Sequence, residues 1–230
     1  MMVYKTIYQI TSIEDPFKEI KKKCTDDLLS IYPDLKKKIN TSRDPLFTAL
    51  KFAGLSNAID FGANPDFNLR EELNVIYHKN FDVCEYDEFR KVLHKAKNIL
   101  YIADNAGETV FDRLLIKQLH KPTIYAVRSR PIINDATRKD AVDAGIDRVA
   151  KIISSGCDAP GTILKLCSKE FRKMYRNADM VISKGQGNYE TLSNQRRPIF
   201  FLLKIKCPVI ARDIGIKDGS LVLIKNRNAR

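Results

Sequence analysis

The sequence predicts an α/β protein: a three-layer α/β/α, doubly wound and mostly parallel sheet, with a helical N-terminal subdomain. From Asn98 onward, short apolar runs of strand length alternate with amphipathic stretches of helix length, the pattern of a parallel sheet covered on both faces. Residues 1–97 instead carry repeated helix-start signals and few strand-like runs. Most apolar runs after Asn98 also end in polar, glycine-bearing segments, as expected where strand tips line a ligand crevice. The expected division is 1–97, helical, and 98–230, the α/β core. No low-complexity linker separates them, so the two are expected to be docked rather than tethered.

Asp15-Pro16 reads as an N-cap followed by proline at the first helical position, and Phe17, Ile20, Cys24, Leu28 and Ile31 come after it at helical spacing. Asp44-Pro45 repeats the signal before Leu46, Ala49, Leu50 and Ala53, and further helices are predicted near 66–77 and 86–96. In the core, strands are predicted at Ile99–Ala103, Thr123–Val127, Val149–Ser154 and Met180–Ser183. Others are predicted at Ile199–Leu203 with Val209-Ile210, and at Leu221–Ile224. Helices are predicted after the first strand on the face marked by Val110, Phe111, Leu114 and Leu115, at Ala136–Ala144 before Gly145, and at Gly161–Met174.

Composition narrows the function classes. The 230 residues carry a net charge of +12, but the lysine runs at Lys18, Lys21, Lys22, Lys23 and Lys36, Lys37, Lys38 read as solvated helix faces. No aromatic-interleaved basic motif accompanies them, so nucleic acid is not the expected partner. No apolar run reaches the length of about 18 residues that a spanning helix needs, and the first residues form no apolar signal core. The five cysteines include no CxxC pair, which supports neither a zinc ribbon nor a disulfide framework and fits a reducing cytoplasm. The oligomeric state is left open.

The chemistry lies in the segments at the ends of the strands. The first strand leads into Asp104, Asn105, Ala106, Gly107 and Glu108; the second leads into Arg128 and then Asn134-Asp135. The third leads into Ser154-Ser155-Gly156-Cys157-Asp158, and the fourth into Lys184-Gly185-Gln186-Gly187-Asn188-Tyr189-Glu190. Asp104 and Asn105 offer hard oxygen ligands suited to Mg²⁺ or Mn²⁺, and Asp135, one strand away at about 4.8 Å spacing, is placed to close such a site. Equally, the same residues can cap the helices that come after them. Gly107, Gly156 and Gly187 either admit an anion to backbone N–H groups or simply make tight turns. Arg128 and Lys184 either neutralise phosphoryl oxygens or pair with nearby acids. There is no Walker loop and no GxGxxG fingerprint. No histidine is placed beside Cys157, which is read as a packing residue.

Together these motifs resemble one family, the damage-control phosphatases, also called ARMT-like (acidic-residue methyltransferase-like) and formerly a domain of unknown function. The resemblance rests on Asp-Asn-Ala-Gly-Glu at 104–108, Pro-Ile-Ile-Asn-Asp-Ala-Thr at 131–137, Ser-Ser-Gly at 154–156, Lys-Gly-Gln-Gly-Asn-Tyr-Glu at 184–190, and Leu-Lys-Ile-Lys-Cys-Pro at 203–208. Asp44-Pro45-Leu46 and residues 57–62 resemble the family's helical region. The resemblance implies a three-layer α/β fold with a helical N-terminal part. It also implies a divalent metal (Mn, Mg, Co or Ni) held by Asp104, Asn105 and Asp135, and a phosphorylated small-molecule substrate such as a sugar phosphate or a damaged phospho-metabolite. By the same resemblance Lys184 contacts phosphate and joins the three ligands as a catalytic residue. Arg128, Asn134, Ser155, Gly156, Glu108 and Asn188 are the expected substrate-binding residues. Stand-alone microbial relatives begin with a further helical segment bearing a CxxC pair, and this chain is expected to start downstream of it.

The expected mechanism is hydrolysis by a cation-activated water, with Arg128 and Lys184 on the phosphoryl oxygens and Asp104 as a general base. A covalent aspartyl-phosphate is disfavoured because Ala106 stands where a DxD pattern needs its second carboxylate. The rival readings are an S-adenosylmethionine-dependent carboxyl methyltransferase, against which stands the missing GxGxG turn, a basic nucleic-acid-binding module, and a catalytically dead metal-binding protein.

Overall fold

A computed structural model describes Thr6, residues 9–56 and residues 78–226. The helix predicted near 66–77 and the motif at 57–62 lie outside the described residues. Among those described, the strands are β1 Val83–Cys84, β2 Ile99–Ile102, β3 Thr123–Val127, β4 Lys151–Ser154, β5 Met180–Lys184, β6 Phe200–Lys204 and β7 Leu221–Lys225. The helices are α1 Lys18–Asn40, α2 Pro45–Leu55, α3 Tyr86–Lys95, α4 Thr109–Leu119, α5 Arg138–Asp143, α6 Lys169–Asn177, α7 Gln186–Leu192 and α8 Pro208–Ile214. Short 3₁₀ turns at Ala106–Glu108 and Ile146–Arg148 precede α4 and β4.

Strand residues are buried on both sides because successive side chains point to opposite faces. Ile99, Tyr101, Tyr125, Met180, Ile182, Phe200 and Leu202 face a core filled by α1 to α5, while Leu100, Ile102, Ala126, Val181, Phe201 and Leu203 face α6, α7 and α8. The strands stand in the order β1-β7-β6-β5-β2-β3-β4. β6, β5, β2, β3 and β4 are parallel, whereas β7 runs antiparallel to β6 and β1 runs parallel to β7. The chain steps outward from β2 to β3 and β4, then returns to the other side of β2 for β5. The β2–β5 seam is therefore the topological switch point, where open parallel sheets bind ligands. The fold class expected from sequence is the one found.

Several elements depart from expectation. β1 comes from the stretch read as helical and pairs with β7, so residues before 98 contribute to the sheet itself. Val209-Ile210 lies inside α8, because Pro208 starts a helix and Gly215, with φ +81°, ends it. The helix expected from Gly161 begins only at Lys169: Gly161 is left-handed (φ +75°), and Ser168 Oγ accepts from Phe171 N (3.0 Å) as the actual cap. Val149 and Ala150 are held by Ile146 O in a turn, which delays β4 to Lys151.

α1 also corrects a charge expectation. Its buried stripe is Lys21, Cys24, Thr25, Leu28, Ile31, Leu35 and Ile39, while Ile20 is exposed. Lys21, read as part of a solvated run, is buried between Asp15 (2.6 Å) and Asp140 of α5 (2.9 Å). Breaking a buried pair leaves the partner charges uncompensated, so Lys21→Ala is expected to lower stability by about 3 kcal/mol. Lys22→Ala, whose side chain is exposed, should leave the urea midpoint where it is. Equal midpoints for the two variants would refute a stabilising role for the buried Lys21 pairs.

No helix among the described residues is long and apolar enough to cross a membrane.

Candidate functional site

The site begins with a clip between two strand-end loops. Ala136 N donates to Asp104 O (2.7 Å), Ala106 N donates to Asn134 O (2.8 Å), and Asn105 forms an antiparallel bridge with Asp135. Residues 104–106 thus run alongside 134–136, which sets Asp104, Asn105 and Asp135 on adjoining tips. Capping does not take up these side chains. Asn105 stands before the 3₁₀ turn but makes no side-chain cap bond, and α5 starts two residues beyond Ala136, at Arg138 behind Thr137.

Asp104 reaches across to the tip of β5. Gly185 has φ +77° and ψ 165°, and a Cβ there would lie 1.8 Å from Asp104 Oδ2. Asn105 Nδ2 donates to Glu108 Oε1 (2.9 Å), which turns the amide oxygen away from Glu108. Asp135 Oδ2 accepts from Arg128 Nε (2.6 Å). The other Arg128 nitrogens donate to Thr162 Oγ1 (3.0 Å) and Asn188 Oδ1 (3.1 Å). Asn188, wholly buried, donates from Nδ2 to Ala103 O (2.9 Å) and Lys184 O (2.8 Å), tying the β2 and β5 tips together. Lys184 is also buried and donates to Glu108 (2.5 Å) and Asp112 (2.9 Å).

Asp104, Asn105, Asp135, Glu108, Arg128, Lys184 and Asn188 therefore form one assembly, and Asn134 joins it through its backbone. Within it the two cations take the second of the two uses open from sequence, pairing with nearby acids. Arg128 and Lys184 are turned inward onto carboxylates, since a buried cation is stable only when paired. Glu108 and Asn188 are likewise interior. Ser155 and Gly156 hold the loop after β4: Ser155 Oγ accepts from Cys157 N (3.2 Å), and Gly156 N donates to Ser154 Oγ (3.1 Å). A Cβ on Gly156 would meet Ser168 N at 2.7 Å, and Gly161 packs against Gly187, so these glycines serve close packing. Cys157 is buried, as expected of a packing residue.

Sequence reading misses Thr162, Asp112, Tyr101 and Tyr125. The available signal is polarity in apolar settings: tyrosines at matching positions of two buried strands, and an acid one helical turn after Glu108 on the buried face of α4.

The electrostatics are lopsided toward negative charge. Burial, with the charges of Glu108 and Asp135 nearby, holds the Asp104 carboxyl well above the usual carboxylate range, against the pull of Arg128 and Lys184. Burial raises Asp135 as well, opposed by Arg128 and Lys21. Burial alone would lower Lys184, but Asp112 and Glu108 outweigh it and raise the ammonium. Asp104, Glu108, Asp112 and Asp135 are four carboxylates gathered with two buried cations. With all four ionised that excess is of the size a divalent cation neutralises, and carboxylate plus amide oxygen is a hard donor set, so the residues fit such an ion. Among the described residues no group of three or more His, Cys, Asp or Glu side chains is arranged to hold a metal, so the set stands on two carboxylates and one amide.

A mostly parallel sheet with an acidic centre at its switch point defines a doubly wound α/β protein with a ligand crevice, and comparison with known proteins makes the assignment specific. The damage-control phosphatase ARMT1-like domain matches residues 1–222. A damage-control phosphatase of Pyrococcus horikoshii is 38% identical over 234 residues, covering 98% of this chain and 80% of its own. One of Archaeoglobus fulgidus is 33% identical over 227 residues, covering 96% and 79%. The crystal structure of a DUF89 family protein from Pyrococcus horikoshii superposes with a TM-score of 0.88 at 37% identity, covering 98% and 80%. The chain belongs to the damage-control phosphatase ARMT1-like family, and its activity class is that of a phosphatase.

Proposed function

We propose that the chain is a divalent-cation-dependent phosphatase that hydrolyses phosphate monoesters of small metabolites, sugar phosphates or damaged phospho-metabolites, with Asp104, Asn105 and Asp135 as the cation's ligands. One observation carries the reading: the clip in which Asn105 bridges Asp135 runs residues 104–106 alongside 134–136, next to the β2–β5 switch point. The names of the Pyrococcus and Archaeoglobus relatives support the substrate class. Mn²⁺, Mg²⁺, Co²⁺ and Ni²⁺ are the candidate ions. When bound, such an ion supplies Lewis acidity to a phosphoryl oxygen and lowers the pKa of a water.

The chain's own residues position the donors. Asp104 and Asp135 bring charge and Asn105 a neutral oxygen. Arg128 fixes Asp135 through Oδ2 alone, and Thr162 and Asn188 fix Arg128. Gly185 leaves the space beside the β5 tip that the Asp104 carboxylate fills. Five free cysteines support a reducing, cytoplasmic setting.

The test uses protein stripped with a chelator and then given each ion, assayed on p-nitrophenyl phosphate and a panel of sugar phosphates. Turnover is expected only with an ion present. Folded protein that turns over nothing with any of them sinks the reading, and calorimetric binding of S-adenosylmethionine would favour the methyltransferase instead.

A further inference from the structure

Behind the expected ligands lies a buried polar chain to which the proposed hydrolysis assigns no part. Asp112, in the first turn of α4, is wholly buried. Its Oδ1 accepts from Tyr101 Oη (2.6 Å) and Lys184 Nζ (2.9 Å), and its Oδ2 accepts from Tyr125 Oη (2.7 Å). Lys184 in turn donates to Glu108 Oε2 (2.5 Å), and the other oxygen of Glu108 accepts from Asn105 Nδ2. The two tyrosines sit at paired positions of β2 and β3, with rings stacked at 5.4 Å. Burial and the Asp112 charge hold both phenols well above their ordinary range, so both stay donors.

The geometry points to Asp112, clamped by the Tyr101 and Tyr125 hydroxyls, as a positioning residue that acts through Lys184 and Glu108 to aim the Asn105 amide oxygen at the cation position. An amide is two-sided. An asparagine ligates through Oδ1, and the same side chain rotated by half a turn presents two N–H donors to the cation instead. Glu108, accepting on both oxygens, forbids that rotation only while it is itself held, and its holder is the Lys184 ammonium. Lys184 is long and has many rotamers, and Asp112 is the group that pins its head against the sheet. Asp112 could drift between rotamers were it not bonded on both oxygens by rigid, stacked phenols. Each link has its lone pairs directed at a donor, which is the condition under which a buried polar network orders a site rather than loosening it. Replacing such outer partners of ligands commonly costs about 10- to 100-fold in metal affinity.

This inference rests on the proposed cation site, and its test separates the two. Mn²⁺ affinity is measured by calorimetry on chelator-stripped protein for the wild type, Asp112→Asn, the double variant Tyr101→Phe with Tyr125→Phe, and the control Phe89→Leu. Phe89 packs on Phe200 outside the chain of contacts and reports the effect of core loosening alone. The tyrosine double variant removes only two oxygens and keeps the rings, so it guards against Asp112→Asn failing to fold. Mn²⁺ binding about 10- to 100-fold weaker is expected in both network variants, with unchanged affinity in Phe89→Leu at a comparable loss of melting temperature. At saturating Mn²⁺ the kcat of the tyrosine variant should recover toward wild type, which a collapsed active site would not do. Wild-type affinity in the tyrosine double variant, or an equal loss in Phe89→Leu, overturns this inference alone. A wild type that binds no divalent ion overturns it together with the proposed function.

Discussion

Asp104→Asn is expected to abolish turnover while leaving the fold intact. The substitution keeps shape and volume, so packing against Gly185 is preserved. What goes is one of the two ligand charges. A bound cation contributes several kcal/mol to the transition state of phosphoryl transfer, and losing about 4 kcal/mol of it lowers kcat/KM by about 10³-fold. Stability should move the other way. In the cation-free protein Asp104 lies partly buried beside Glu108 and Asp135, so its carboxyl is held well above the usual range and ionises only against their repulsion. Neutralising it relieves that repulsion, and the melting temperature of stripped Asp104→Asn should equal or exceed that of stripped wild type. Adding Mn²⁺ should raise the wild-type melting point and leave the variant's unchanged. Phosphatase assays beside paired melting curves check both signs. A variant that keeps a tenth of wild-type kcat/KM removes Asp104 from the site.

Gly185→Ala is the second large effect, and it has an internal control. At φ +77° and ψ 165° the backbone lies in a region used almost only by glycine, and an alanine there costs about 1–3 kcal/mol. The new methyl also meets Asp104 Oδ2 at 1.8 Å and Cγ at 2.2 Å, so the carboxylate has to move. A ligand displaced by about 1 Å can cost 10²-fold in rate, which sets the expected fall in kcat/KM. Gly219 has a similar φ of +79°, but nothing lies within 4 Å of a Cβ built there. Gly219→Ala should therefore lose stability through its positive φ and keep its activity. Equal activity losses at the two positions would mean that strain, and not the displaced carboxylate, is responsible.

The fold is legible wherever burial alone decides structure. Five strands of the core are buried on both faces, so their runs at 99–103, 123–127, 180–183, 199–203 and 221–224 are nearly continuous apolar segments, and each agrees with the observed strand within a residue or two. The failures have a common form. Val209-Ile210 has strand-like composition, but Pro208 and Gly215 punctuate a helix around it. β1 is a two-residue strand whose apolar content is too small to stand out, and it exists because the β7 edge accepts it. Lys21 looks solvated in sequence because its neighbours are, but Asp15 lies just before its own helix and Asp140 is brought to it by the approach of α5.

The site divides along the same line. By itself the sequence determined which polar residues follow the strands and in what order, because the strand ends of a parallel sheet are read from periodicity and loop composition. Only the tertiary structure decided that both Arg128 and Lys184 are buried against acids. Arg128 and Lys184 point inward because acids from other elements, Asp135 for one and Glu108 with Asp112 for the other, meet them in a buried setting where an unpaired charge cannot persist. Pairing of that kind depends on distance through space, and no spacing along the chain encodes it.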